Sequence, residues 1–164
     1  MIILGIDPGL ALMGYGVISL EGSKMRLVQY GVISTKAHSP TPQRLRSIYT
    51  GLNSLIDMYK PDEIAFEELF FSKNVTTGIN VGAARGVALV AAAQRTEELY
   101  EYTPMQIKLA VTGYGKADKH QVQQMVKMLL GMDEIAKPDD AADAVAVAIC
   151  HANSRNAKHL YKIQ

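Results

Sequence analysis

A chain of 164 residues with 48% hydrophobic and 20% charged residues has the make-up of one globular domain with a core covered on two sides. Its single cysteine, Cys150, excludes an internal disulfide and points to a reducing, cytoplasmic setting. A net charge of +1 excludes a uniformly basic surface, so any nucleic-acid partner must meet basic residues gathered on one face. The apolar stretch at the N-terminus reads as a strand rather than a leader, and "VALVAAA" at 87–93 is far short of the ~20 residues of a membrane span.

In chain order, "IILGID" at 2–7 reads as a central strand, apolar on both faces, that ends in a carboxylate. "GYGVISL" and "MRLVQYGVIST" flank "EGSK" as a hairpin, so the first three strands form an antiparallel meander. After "SPTP", Thr41 is the expected N-cap with Pro42 at the first helical position. Leu45, Ile48, Leu52, Leu55, Ile56 and Tyr59 then recur at helical spacing up to Pro61. "DEIAFEELF" at 62–70 is a short strand ending in acids. A long helix over about 75–97 follows, carrying Gly78, Gly82 and Gly86 in a row that suits close approach of a sheet, a partner helix or a phosphate backbone. "LYEYT" is a fifth strand, and "PMQIKLAV", "HQVQQMVKMLL" and "PDDAADAVAVAICHA" are three closing helices, with "GYGKADKH" a loop between the first two. The order describes a mixed α/β sheet and not the alternating pattern of a dinucleotide-binding fold.

Three places put carboxylates where an element begins or ends: Asp7, Glu67 with Glu68, and Asp139, Asp140 and Asp143. Alternation sets Ile64, Phe66 and Glu68 on one face and Ala65, Glu67 and Leu69 on the other, so only one of the two glutamates can share a site with Asp7. Asp140 and Asp143, three apart on a helix, share a face. Acids in a first helical turn also serve the helix dipole. Asp7 has no such explanation, because a charge at a central strand needs a partner or a metal. An all-carboxylate set suits Mg²⁺ or Mn²⁺ rather than zinc, and two such ions suit displacement at a phosphodiester. Cys150 and His151 read as structural.

"GIDPG" with "GYGVI", "FEELFFSKN", "GAARGVALVAAA", "VQQMVKMLL" and "DDAADAVAVAICH" together resemble the Holliday-junction resolvase RuvC family, over about residues 1–155. The resemblance implies an RNase H-like fold, with a five-stranded mixed sheet flanked by helices on both faces. It places a nuclease domain at 1–157 and a short tail at 158–164. The implied activity is that of a Mg²⁺-dependent endonuclease, a homodimer that nicks two strands symmetrically across a four-way DNA junction in recombination and repair. Two Mg²⁺ per site are implied, with Mn²⁺ able to substitute, and the branch-migration complex RuvA–RuvB as partner. The family's catalytic, metal-holding acids fall on Asp7, Glu67, Asp140 and Asp143, which leaves Asp139 as the expected N-cap. Lys108 and Lys119 match basic positions near the scissile phosphate, with Lys116, Lys73 and Arg85 as further phosphate contacts. Phe70 matches an aromatic that stacks on an unpaired base at the crossover. The glycine-row helix resembles the family's dimer helix.

"PGLALMGYG" lacks a Ser-Arg pair often seen after "GIDPG" in the family, and the tail is only mildly basic. Both departures bear on DNA affinity. "DPG" alone also opens actin-like phosphotransferases, but these need a second phosphate loop and an adenosine motif in a longer chain. A non-enzymatic junction-binding module would need a broken acid set, and all four acids are here. Another nuclease of the same superfamily, or a pre-rRNA-processing enzyme, differs in substrate rather than in chemistry.

Overall fold

The N-terminal meander and the two short strands that follow it assemble into one sheet in the order Lys24–Ser34, Leu12–Glu21, Ile2–Asp7, Glu63–Glu67, Leu99–Tyr102. A computed structural model describes residues 1–69 and 75–164. Its strands are β1 (Ile2–Asp7), β2 (Leu12–Glu21), β3 (Lys24–Ser34), β4 (Glu63–Glu67) and β5 (Leu99–Tyr102). The helices are α1 (Thr41–Tyr59), α2 (Val75–Ala93), α3 (Pro104–Thr112), α4 (Lys119–Leu130) and α5 (Asp139–Asn153), followed by a 3-10 segment, Arg155–Leu160. The strands β1, β2 and β3 pair antiparallel, while β4 and β5 run parallel to β1, giving the mixed sheet expected.

Alternation along the strands sends each side chain to one of two cores. Leu4, Ile6, Ile64, Phe66 and Leu99 pack with Ile48, Leu52 and Ile56 of α1 and with Ala84, Ala88 and Ala91 of α2. On the other face Ala65, Tyr100 and Tyr102 pack with α3, α4 and α5. The odd residues of β1 face α5, and they are small where the helix passes: a Cβ on Gly5 would lie 2.2 Å from the Ala144 carbonyl oxygen. A Cβ on Gly14, the β2 partner of Asp7, would lie 1.9 Å from the carbonyl oxygen of Asp140. Glycine is therefore required there for the first turn of α5 to rest on the end of β1 beside Asp7.

Three local expectations change. The N-cap of α1 is Pro40 rather than Thr41, and that of α5 is Pro138 rather than Asp139; neither helix start has a side-chain cap. In each case the residue ahead already has a proline's extended backbone, so the polar residue becomes the first helical one. The long helix stops at Ala93 instead of 97, where Tyr49 Oη donates to Gln94 Oε1 at 2.8 Å and Arg95 pairs with Asp57 at 3.0 Å, tying the turn to α1. Gly82 and Gly86 would meet nothing within 4 Å if given a Cβ, so they do not serve packing against the chain's own sheet.

The segment 158–164 lies against the sheet edge: the Glu101 amide donates to the Tyr161 carbonyl and the Ile163 amide to that of Leu99. Beneath it, His151 and Glu63 are buried, with His151 Nε2 2.7 Å from Glu63 Oε2 and Nδ1 2.8 Å from Tyr102 Oη, while Lys158 pairs with Glu63. Cys150 is buried and free. Both residues are structural, as read. Among the described residues no helix is long and apolar enough to cross a membrane.

Candidate active site

Asp7 and Glu67 end neighbouring parallel strands on the face that α5 covers. Alternation selects Glu67 over Glu68, as expected, and Phe66 is fully buried on the opposite face. The first turn of α5, seated on Gly14, adds Asp140 and Asp143. Burial pushes the Asp7 carboxyl up to about 8, with Glu67, Asp143 and Asp140 adding repulsion and Lys119 opposing it. Burial likewise pushes Glu67 up to about 7, helped by Asp143 and opposed by a hydrogen bond with Asp7 and by Lys119 and Lys108. Burial raises Asp143 as well. Asp7 and Glu67 thus lie at adjacent strand ends with Asp143 and Asp140 near enough to repel Asp7, and burial disfavours the charged form of Asp7, Glu67 and Asp143.

A cleft of about 220 Å³ opens on this spot, lined by Glu67, Asp143, Lys108, Lys119 and the apolar side chains of Ile107 and Val122. Lys108 comes from α3, which a Thr103–Gln106 capping box starts beside the end of β5. Lys119 opens α4 one residue after its N-cap, Asp118. Its ammonium lies 3.0 Å from Asp143 and 3.2 Å from Asp139. Burial would lower Lys119, but these two acids outweigh it and hold it above its ordinary value. Lys119 and Gln123 hold Asp139 below the usual carboxylate range, so Asp139 is an exposed partner of α4 rather than a cap.

Lys116 is exposed in the α3–α4 loop. Arg85 lies on α2, on the sheet face opposite Glu67, and pairs with Glu101. Phe70 and Lys73 lie outside the described residues.

Among the described residues, no group of three or more Asp, Glu, His or Cys side chains is already arranged to hold an ion. The reason is visible in the pairing: Asp143 is drawn to Lys119, and Asp7 and Glu67 are drawn to each other. The donor set nevertheless fits a hard divalent cation, because all its members are carboxylates whose charged forms lack compensation. A cation would compensate the charge of Asp7 and Glu67 and would compete with Lys119 for Asp143.

Residues 3–151 match the family model described as "Crossover junction endodeoxyribonuclease RuvC". The chain belongs to the RuvC family. A relative of that name from Alkaliphilus metalliredigens is 55% identical over 164 residues, covering all of both chains. Another RuvC, from Desulfitobacterium hafniense, is 56% identical over 156 residues, 95% of this chain and 94% of that one. Among solved structures, T. thermophilus RuvC in complex with a Holliday junction substrate superposes with a TM-score of 0.89 at 36% identity, covering 94% of each chain. The fold is thus that of RuvC and RNase H-like, as the sequence motifs implied.

Proposed function

We propose that this chain resolves four-way DNA junctions by metal-dependent phosphodiester hydrolysis, with Asp7, Glu67, Asp140 and Asp143 as its metal-holding acids. The observation that supports the assignment is the placement of Asp7 and Glu67 at the ends of adjacent strands, with Glu67 and Asp143 lining a cleft that Lys108 and Lys119 also line. Carboxyls that burial holds above their ordinary values are poised to exchange a proton for a divalent cation. Mg²⁺, as one ion or a pair, with Mn²⁺ as a substitute, supplies when bound a water of lowered pKa and charge stabilisation of the leaving 3′-oxygen, so that the products carry 5′-phosphates. Lys119 and Lys108 present ammonium groups where the phosphate must lie, and add charge stabilisation from the protein side. Asp143, paired with Lys119 at 3.0 Å, would serve as a ligand when metal is bound, and Lys119 would then be available to the phosphate. The cleft walls Ile107 and Val122 keep the lysines and acids in a partly dry setting where their charges act strongly.

Symmetric cutting of two strands calls for two copies related by a two-fold axis. The open face of α2 suits that role: a Cβ at Gly82 or Gly86 would meet nothing within 4 Å, and Ile79 and Val90 are exposed on the same helix. An apolar groove lined by Leu45, Tyr49, Val87 and Val90 continues this face. The complex RuvA–RuvB is the partner that the family membership suggests for delivering junctions.

The test is cleavage of a synthetic four-way junction beside a linear duplex and an RNA of the same sequence, in Mg²⁺. Paired nicks on like strands of the junction alone, with 5′-phosphate ends, are expected. Equal cutting of the linear duplex or the RNA would overturn the reading.

A further inference from the structure

Lys119 is the first residue of α4, a position where a positive charge works against the helix dipole. A capping box fixes it there: the Gln121 amide donates to Asp118 Oδ1 at 2.8 Å, and the Asp118 amide donates to Gln121 Oε1 at 2.9 Å. The compensating charge comes from another helix. Asp139 and Asp143, one turn apart at the start of α5, both reach the Lys119 ammonium, at 3.2 and 3.0 Å.

The two acids are not equivalent. Asp143 lines the cleft with Glu67 and Lys119 and has 29% of its side chain exposed, whereas Asp139 stands further out at 63%. Asp139 has a second grip from α4: Gln123 Nε2, one turn after Lys119, donates to Asp139 Oδ1 at 3.1 Å. An acid in a first turn serves its own helix dipole, and Asp140 already meets that need in α5. A dipole role does not account for two donors of α4 converging on Asp139.

We infer that Asp139 is a positioning residue for Lys119: anchored by Gln123, it holds the ammonium at the mouth of the cleft when Asp143 is given over to metal. The inference rests on the nuclease reading above and deepens it. A lysine is a compact charge on a flexible four-carbon stem, so an ammonium that lost its one acid partner would turn to solvent. Lys119 has two partners, and only one of them belongs to the proposed ligand set. Asp139 therefore keeps the ammonium in place for the phosphate. The same geometry has a second effect. An ammonium shared between two carboxylates holds Asp143 less firmly than one paired with Asp143 alone, so Asp139 also leaves Asp143 more available to a cation.

The experiment is a double-mutant cycle on the full-length chain, with Asp139→Asn, Lys119→Met and the two combined. It is read by calorimetric titration with Mg²⁺ or Mn²⁺ and by single-turnover cleavage of a four-way junction. Asp139→Asn alone is expected to weaken metal binding about threefold and to slow cleavage at saturating metal about fivefold, the upper range for an exposed ion pair. In the Lys119→Met background it should change neither, because no ammonium is left to hold. The titration reads the cycle even where Lys119→Met cuts too slowly to follow. Equal losses in the two backgrounds would overturn the inference, since Asp139 would then act through its own charge or through the start of α5. Unchanged metal binding and cleavage in Asp139→Asn would overturn it too. Either result, with a wild type that cuts the junction, leaves the nuclease reading intact. Wild-type protein that takes up no metal and cuts no junction would overturn the nuclease reading itself.

Discussion

Asp7 and Glu67 share a hydrogen bond between the ends of two neighbouring strands, and burial, with repulsion from neighbouring acids, holds both carboxyls above their ordinary values. Two consequences of Asp7→Asn separate catalysis from stability. Junction cleavage in Mg²⁺ should fall by about 10²–10³-fold or more, the scale of several kcal/mol of lost metal chemistry, while junction binding persists. In chelator at pH 8 the same variant should melt higher than wild type by about 2–4 °C, the effect of about 1 kcal/mol in a chain of this size. Gel-shift, cleavage and melting measurements on one preparation check all three.

Lys119 competes for Asp143 in the absence of metal. Lys119→Met should bind Mg²⁺ or Mn²⁺ more tightly, by about tenfold, since a neighbouring positive charge is gone and a ligand is released. It should nevertheless cut more slowly, because the ammonium is missing from the phosphate. Titration calorimetry and single-turnover cleavage would show the two effects moving in opposite directions, and a fall in both would remove Lys119 from this role.

Gly14 is where α5 rests on the sheet. Gly14→Ala forces the helix start away from Asp7, and overpacking of this kind costs about 1–3 kcal/mol. Cleavage should fall more than the melting temperature suggests, since the shift is applied at Asp140. Comparing activity at a temperature well below the melting transition isolates that part.

On α2, a Cβ at Gly82 or Gly86 meets nothing within 4 Å, and Gly82→Glu and Gly86→Glu raise local helix propensity by about 0.5–1 kcal/mol each. Melting temperatures should hold or rise. If this face joins two copies, sedimentation should show monomers in place of dimers, and paired nicking of a junction should give way to unpaired single nicks.

Burial lowers His151 below 6.5, although its contact with Glu63 works the other way. Between that lowered value and 6.5 the unfolded chain holds a proton that the folded chain does not. Stability is therefore fully present above about pH 6.5 and is lost as the pH falls. Burial raises Glu63, but hydrogen bonds from Lys158 and His151 outweigh it and bring the carboxyl below 4.5, so its loss adds at lower pH in the same direction. Asp7 and Glu67 titrate in the opposite sense, which is why the comparison is made with His151→Gln. Denaturant unfolding from pH 7 to about pH 5 should show a steeper loss in wild type than in the variant.

Several of these relationships follow from chain chemistry alone. Strict alternation in "EIAFEEL" puts Glu67, and not Glu68, on the side of Asp7, because a strand has no other way to orient consecutive side chains. "IILGID" is apolar on both faces because it lies at the sheet centre, and the helical spacing of Ile48, Leu52 and Ile56 marks the stripe that α1 buries. The family motifs give Asp7, Glu67, Asp140 and Asp143 as the expected metal-holding acids. Motif and spacing give no notice that Pro40 and Pro138 precede Thr41 and Asp139 into the capping positions, since either polar residue would serve as a cap in isolation.

What the sequence by itself determined is the element order and the faces of its strands, both of which depend on neighbours a few residues apart. Tertiary structure alone decided that Asp143 is paired with Lys119, that Gly14 is the seat of α5, and that the tail closes over Glu63 and His151. Each of these is a contact between segments distant in sequence, set by how helices pack across a twisted sheet, and local periodicity does not encode which residues such packing brings together.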